Sequence, residues 1–253
     1  MITNSYIFLE RVSKNTEQSF WSQGIKSWDE FLARDKVQGI SKQRKKYYDR
    51  QISEAKQQLY ASNSSYFYDR LPLAETWRLY DFFKDEAIFL DIETTGVQSF
   101  DDVIVIGLFD GLDVKTMIKG INLNFFALKQ ELRKYKLIVT FNGAVFDIPF
   151  LKKRYPDLIP NIPVFDVKTA CSRIGLTGGL KEIEKKVGIR RNKIIENFYG
   201  GDPLCLWRMF KASGDEYYLK LLVEYNEEDV FNLRKIAELA IGKLKEKIYN
   251  LKV

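Results

Sequence analysis

A chain of 253 residues that is 45% hydrophobic has the material for one substantial core plus an appendage. Its net charge of +6 and pI near 9.0 favour a polyanionic partner. The absence of any histidine excludes every Ser-His or Cys-His nucleophile pair and the commonest zinc ligand, leaving acid–base work to carboxylates, Lys, Tyr or metal-bound water.

Residues 1–84 carry helical patterns, and the only strand-like run among them is the short SYIFLE at 5–10. Ser27 and Glu30 form a capping-box signature ahead of Phe31 and Leu32. From Ser41 to Tyr60, Tyr48, Ile52, Ala55 and Leu59 recur at helical spacing. The start of that helix, SKQRKKYYDR, sets five basic residues beside Tyr47 and Tyr48. Such a mixture suits single-stranded nucleic acid, and it equally suits a solvated helix face with tyrosines tucked beneath. The polar ASNSSYFYDRLP (61–72), closed by Pro72, reads as a linker, and LAETWRLYDFF (73–83) reads as a helix. The division expected is 1–84, a helical extension and candidate nucleic-acid contact, followed by 85–253.

The second region opens on AIFLDIETTG (87–96), an apolar run in which Asp91 and Glu93 share one face of a strand. DVIVIGLFDG (102–111) ends in the hairpin signal Asp110-Gly111 before VKTMI (114–118), so three antiparallel strands are expected. A helix over 123–135 precedes the apolar strand KLIVTFNG (136–143). Asp147 follows that strand at the start of a further helical pattern, and Asp166 in PVFDVKTA fits a helix N-cap. Over 219–240 the apolar spacing is helical, and it puts Tyr225 and Asp229 on one face. Carboxylates on two strand ends and a late helix can meet at the carboxyl edge of a sheet, where open α/β folds place their sites. Acids on separate elements are also what hard divalent cations require. Taken singly, each has a plainer reading: solvated strand-end acids, a helix N-cap at Asp147, a core-edge Tyr225 and a surface Asp229.

In their order, DIE, NGxxFD and YxxxD resemble the three exonuclease motifs of the DEDD superfamily, and Tyr225 corresponds to its tyrosine branch, DEDDy. The histidine branch would need His where this chain has Glu224. NGAVFDIPFL is similar to the proofreading exonuclease domain of B-family DNA polymerases. GLKEIEKKVGIRR (179–191) looks like a group of stand-alone ribonuclease-H-like predicted exonucleases. The resemblance covers roughly residues 86–241. It implies an α/β, ribonuclease-H-like mixed sheet, three antiparallel strands followed by parallel ones, flanked by helices. It also implies metal-dependent 3′–5′ hydrolysis of DNA or RNA, with two Mg²⁺ or Mn²⁺ ions as cofactors. Asp91 would bridge both ions, Glu93 and Asp229 would complete the nucleophile-side site, and Asp147 would hold the second ion through water.

At about pKa 10 Tyr225 is a poor base, so its hydroxyl is expected to orient the attacking water. Thr94, Thr95 and Gly96, with Asn142, Gly143 and Phe146, are the candidate contacts to a single-stranded 3′ end. Lys181, Lys185, Lys186, Arg190 and Arg191 are candidate phosphate contacts, with a solvated helix face as the plain alternative. Cys171 and Cys205 stand apart, which suggests neither a disulfide framework nor a zinc site. With no leader or membrane-spanning run in the sequence, a cytoplasmic setting is expected. A structure-specific endonuclease on the same metal site, or a nucleic-acid-binding module without turnover, are the competing functions.

Overall fold

The computed structural model describes residues 2–96, 101–191 and 202–249. Helices α1 (Lys14–Ser22), α2 (Trp28–Leu32), α3 (Lys42–Tyr60) and the single turn α4 (Tyr80–Phe83) precede the sheet. Their starts follow the sequence signals. Ser27 and Glu30 complete a capping box at α2, and Ser41 caps α3 by accepting from the Arg44 N–H at 3.2 Å. On α3, Tyr48, Ile52, Ala55 and Leu59 are the buried stripe, as their spacing predicts.

Strands β1 (Ala87–Thr94), β2 (Val103–Phe109), β3 (Val114–Ile118), β4 (Leu137–Thr140) and β5 (Val164–Asp166) form one sheet in the order β3-β2-β1-β4-β5. The first three pair antiparallel, whereas β4 runs parallel to β1 and β5 parallel to β4. This is the expected mixed sheet. Asp110 pins the β2–β3 turn, its Oδ1 accepting from the N–H groups of Leu112 and Asp113 at 2.9 and 2.8 Å. Strand β5 was not legible beforehand, since three residues leave no periodicity to read.

The two faces of β1 part cleanly. Ile88, Leu90 and Ile92 meet α5 (Phe125–Leu132) and α6 (Asp147–Arg154) through Leu128, Leu132, Ile148 and Leu151. Ala87 and Phe89 point the other way, into a core shared with α7 (Val167–Arg173), α8 (Leu180–Lys186) and the long α10 (Glu216–Tyr249). Helix α9 (Pro203–Ser213) lies against the start of α10, where its Leu206 joins Ile104, Val105, Ile118, Leu221 and Leu222. Helix α10 outruns the predicted 219–240 because Ile241 and Leu244 continue its buried row.

Three expectations for the N-terminal region need correction. SYIFLE forms turns rather than a strand: Tyr6 is buried, and its hydroxyl donates to the Ser27 carbonyl at 2.5 Å. Residues 61–72 are no linker. Ser64–Phe67 is a 3₁₀ turn whose Phe67 is fully buried, because the two adjacent aromatics outweigh the polar composition around them. Leu73–Leu79 is likewise 3₁₀, with an α-turn only at Tyr80–Phe83. The whole region shares the core of the Ala87–Phe89 face. It is anchored by Arg78, which donates to Glu75 Oε2 at 2.7 Å and to Glu17 Oε2 at 2.9 Å, all three nearly without solvent exposure.

Candidate active site

Asp91 and Glu93 continue the row begun by Ala87 and Phe89, so β1 aims both at α10. From α10, Tyr225, Asn226 and Asp229 face back, four and three residues apart as one helix face requires. One carboxylate oxygen each from Asp91, Glu93 and Asp229 lies within 4.8 Å of the others. Asp147, the first residue of α6, is buried, and its Oδ1 accepts from the Ile92 N–H at 3.1 Å. That bond fastens it to β1 between the two strand acids. The sequence thus brought all four acids to one sheet edge, and Asp147 is a strand-anchored acid rather than a cap.

The electrostatics are unbalanced. Burial first, then Asp229, Glu93 and Asp147, hold the Asp91 carboxyl well above the ordinary carboxylate range. Glu93 is raised in the same way, by burial and then by Asp229 and Asp147. Burial pushes Asp147 up to about 7. It pushes Asp229 up to about 6, against the pull of the Arg191 guanidinium. Hard oxygen donors crowded until they resist ionisation fit a divalent cation, which relieves the repulsion by supplying the missing charge. Tyr225 is raised, by burial and the charges of Asp229 and Glu93, so its phenol stays protonated. The Lys181 ammonium lies 4.5 Å and the Arg191 guanidinium 5.5 Å from its ring centre.

Several residues at this site escaped sequence reasoning. Asn226, fully buried, donates from Nδ2 to Asp91 Oδ2 at 2.9 Å. It reaches Asp91 through a notch at Gly107, the β2 residue in register with Asp91, where any Cβ would collide with the Asn226 amide. Two signals were available: a glycine inside an apolar strand marks close approach, and Asn226 lies i,i+3 from Asp229. Arg191 is buried and bonded to Glu184 through Nε at 2.5 Å and Nη2 at 2.9 Å, and it also pairs with Asp229. It is therefore an internal counter-charge and not the solvent-facing phosphate contact expected, and no sequence signal links positions so far apart. Asp202, the N-cap of α9, adds to the charge felt by Glu93.

The candidate substrate contacts are arranged less uniformly. Thr94 donates its hydroxyl to the Gly96 carbonyl at 2.7 Å. In Thr95 the N–H goes to the Asp102 carbonyl at 2.9 Å, and the hydroxyl bonds Asp101 Oδ1 and the Asp102 N–H at 3.0 Å each. Both groups are engaged inside the turn, so Thr95 offers its surface rather than its N–H. Asn142 takes a positive φ of 63° and gives its N–H to Asp166 Oδ1 at 3.2 Å. Asp166 also accepts from the Ala144 N–H and caps α7, so it organises the loop that carries Gly143 and Asp147. Gly143 has no room for a Cβ between Thr140 and Asp147. Phe146 packs half-buried beside Phe150, ring centres 5.7 Å apart, against the α5–α6 core. In the N-terminal region Lys45 and Tyr48 are buried, with Lys45 paired to Asp49 at 2.6 Å, so part of that basic-aromatic run serves the fold. Cys171 is buried and Cys205 half-buried, both as free thiols. Among the described residues, no helix is long and apolar enough to cross a membrane.

Several solved structures are similar to this chain. Brucella melitensis NrnC is 20% identical over 66% of this chain and 78% of its own, at a TM-score of 0.46. The family B DNA polymerase of the archaeon Pyrobaculum calidifontis is 16% identical over 64% of this chain and 24% of its own, at 0.45. Escherichia coli RNase D, an exoribonuclease involved in structured RNA processing, is 20% identical over 67% of this chain and 48% of its own, at 0.37. Among curated proteins none matches. A family model described as the RNase_H superfamily matches residues 88–241, more than half the chain and all of the stretch from β1 into α10, and this protein belongs to that superfamily.

Proposed function

We propose that this protein is a metal-dependent 3′–5′ exonuclease of the DEDDy type, acting on single-stranded 3′ ends of DNA or RNA. The observation that carries the reading is the meeting of Asp91, Glu93 and Asp229 within 4.8 Å at the edge of the sheet. Asp91, Glu93 and Asp229 would hold one Mg²⁺ or Mn²⁺, with Asp147 serving a second. Bound there, the cations supply charge neutralisation at the phosphoryl oxygens and acidity to water.

The chain's own residues do the rest. Asn226 orients the Asp91 carboxylate and Glu184 steadies Arg191, which in turn fixes Asp229. Tyr225 keeps its proton and presents a hydroxyl that positions the attacking water. Lys181, beside Tyr225, would meet a phosphate oxygen. Gly96 and Gly143 let the two flanking loops pack tightly on Asp101 and on Thr140 with Asp147, and with Thr94, Asn142 and Phe146 they would border the terminal nucleotide.

The test is a denaturing-gel time course on 5′-labelled single-stranded and 3′-tailed DNA and RNA with Mg²⁺ or Mn²⁺, run beside Asp91→Ala. A ladder shortening from the 3′ end, absent in the variant, is the expected result. Discrete internal products would make it an endonuclease. Binding without products in either metal would make it a non-catalytic module.

A further inference from the structure

Beside the carboxylates, α9 presents one face to the turn that ends β1. Leu204, Trp207, Arg208, Lys211 and Ala212, at helical spacing, line with Thr95 an open cleft of about 440 Å³. That volume lies within the range of pockets that take small organic ligands, about 300–1,000 Å³. The opposite side of α9 holds the helix in place, through Leu206 in the core with Leu221 and Leu222.

We propose that this cleft is a nucleotide subsite, in which Trp207 stacks on one base of a single-stranded substrate while Arg208 and Lys211 hold its phosphates. Three observations carry it. The first is the exposure of the aromatic ring. Trp28 and Trp77 are each 1% exposed and belong to the core, whereas Trp207, half-buried like Trp21, packs in part against the Leu206–Leu222 cluster and borders the cleft with the rest of its ring. A large ring with part of its surface facing a cleft beside cations is what sequence-tolerant binding of single strands uses, since every base has a face to stack. The second is charge. Arg208 and Lys211 are exposed one and four residues after Trp207, and the Lys211 ammonium lies 5.8 Å from the Trp207 ring centre. A cleft with two cations and an aromatic wall complements an anionic chain that also carries flat rings, as a single strand does, and disfavours a cationic ligand. The third is continuity with the acidic cluster. Thr95 is two residues beyond Glu93, and Asp202 at the head of α9 is near enough to act on the Glu93 carboxyl. A strand with its 3′ end among the carboxylates would therefore pass over α9 with a neighbouring nucleotide.

The subsite rests on the nucleic-acid reading of the acidic cluster, yet its test does not require turnover. Binding of 5′-fluorescein-labelled dT and rU octamers is followed by anisotropy in EDTA, across a salt series, with quenching of intrinsic tryptophan fluorescence by unlabelled dT octamer as a second readout. Trp207→Ala is expected to weaken binding about tenfold and to abolish the saturable quench, with Trp207→Phe restoring most of the affinity. Arg208→Glu with Lys211→Glu, both exposed and so harmless to folding, is expected to weaken binding at low salt and flatten the salt dependence by about two contacts. Wild-type affinity and salt slope in both α9 variants would overturn the subsite, even if the enzyme degrades DNA. Conversely, α9-dependent binding without any hydrolysis would leave the subsite standing and remove the exonuclease.

Discussion

Two groups of acids, each at least partly buried, are built to opposite ends in this molecule. In the N-terminal region Glu17 and Glu75 close around Arg78, and Glu75 also meets Lys14 at 3.1 Å and Arg173 at 3.2 Å. Burial works to raise the Glu75 carboxyl, but Arg78 and Arg173 outweigh it and hold it below its ordinary value. At the sheet edge Arg191 pairs with Asp229 and Lys181 pulls on Glu93 and Asp229, yet Asp91, Glu93, Asp147 and Asp229 are all raised. Burial is common to both groups, so burial alone does not mark a functional site; the balance of charge does. A completed cluster holds the fold together, and an incomplete one calls for a cation from outside.

The comparison breaks most sharply by removing one charge from each side. Asp91→Asn takes away a donor oxygen and some of the repulsion together. Nuclease activity is expected to fall on the order of a thousandfold or more. The metal-free protein should meanwhile gain stability, by about 0.5–2 kcal/mol, in a denaturant melt. Arg78→Met should do the reverse. It strands Glu17 and Glu75 without their guanidinium and should cost about 3–5 kcal/mol, read from urea unfolding. Activity per folded molecule should stay near wild type. If Asp91→Asn destabilised the metal-free protein, the claim of uncompensated repulsion would be lost.

Legibility in the sequence followed the range of the interactions. The antiparallel strands, the β2–β3 turn and the face of α10 bearing Tyr225 and Asp229 were readable because strand alternation, Asp-Gly and helical spacing are local rules. The four acids could be named because strand alternation pairs Asp91 with Glu93, Asp147 opens a helix after an apolar strand, and helical spacing joins Asp229 to Tyr225. What was hidden depends on contacts between distant segments. Arg191 looked like one more cation on a basic helix, and only the fold shows it turned inward to Glu184 and Asp229. Residues 61–72 read as a linker because composition was weighed by average, while burial was decided by a few residues, Tyr66, Phe67 and Leu71.

The same imbalance predicts a dependence on pH. The unfolded chain has Asp pKa values near 4, whereas folding lifts Asp147 to about 7 and Asp229 to about 6. The folded state therefore holds protons that the unfolded state releases. The stability these groups contribute is full below about pH 4 and is lost as pH rises through 6 and 7. Relative to Asp147→Asn, the metal-free wild type should lose stability across that window with a slope of up to about 1.4 kcal/mol per pH unit. Saturating Mn²⁺ should reverse the slope, since binding favours the ionised carboxylates. Parallel pH curves for the two proteins in EDTA would show that Asp147 is not raised.

The smallest expected effect sharpens the role of Tyr225. Burial and the neighbouring acids raise its phenol, so at no working pH does it become the anion a general base requires. Tyr225→Phe removes a single oriented hydroxyl while leaving the ring beneath Lys181 and Arg191. One hydrogen bond to the attacking water corresponds to about 1–1.5 kcal/mol, so turnover should drop about tenfold, with KM little changed. A base would leave a different trace, because its loss would remove an inflection from the pH–rate profile. The variant should instead keep the wild-type profile at a lower height, since the groups that titrate in this range are the carboxylates.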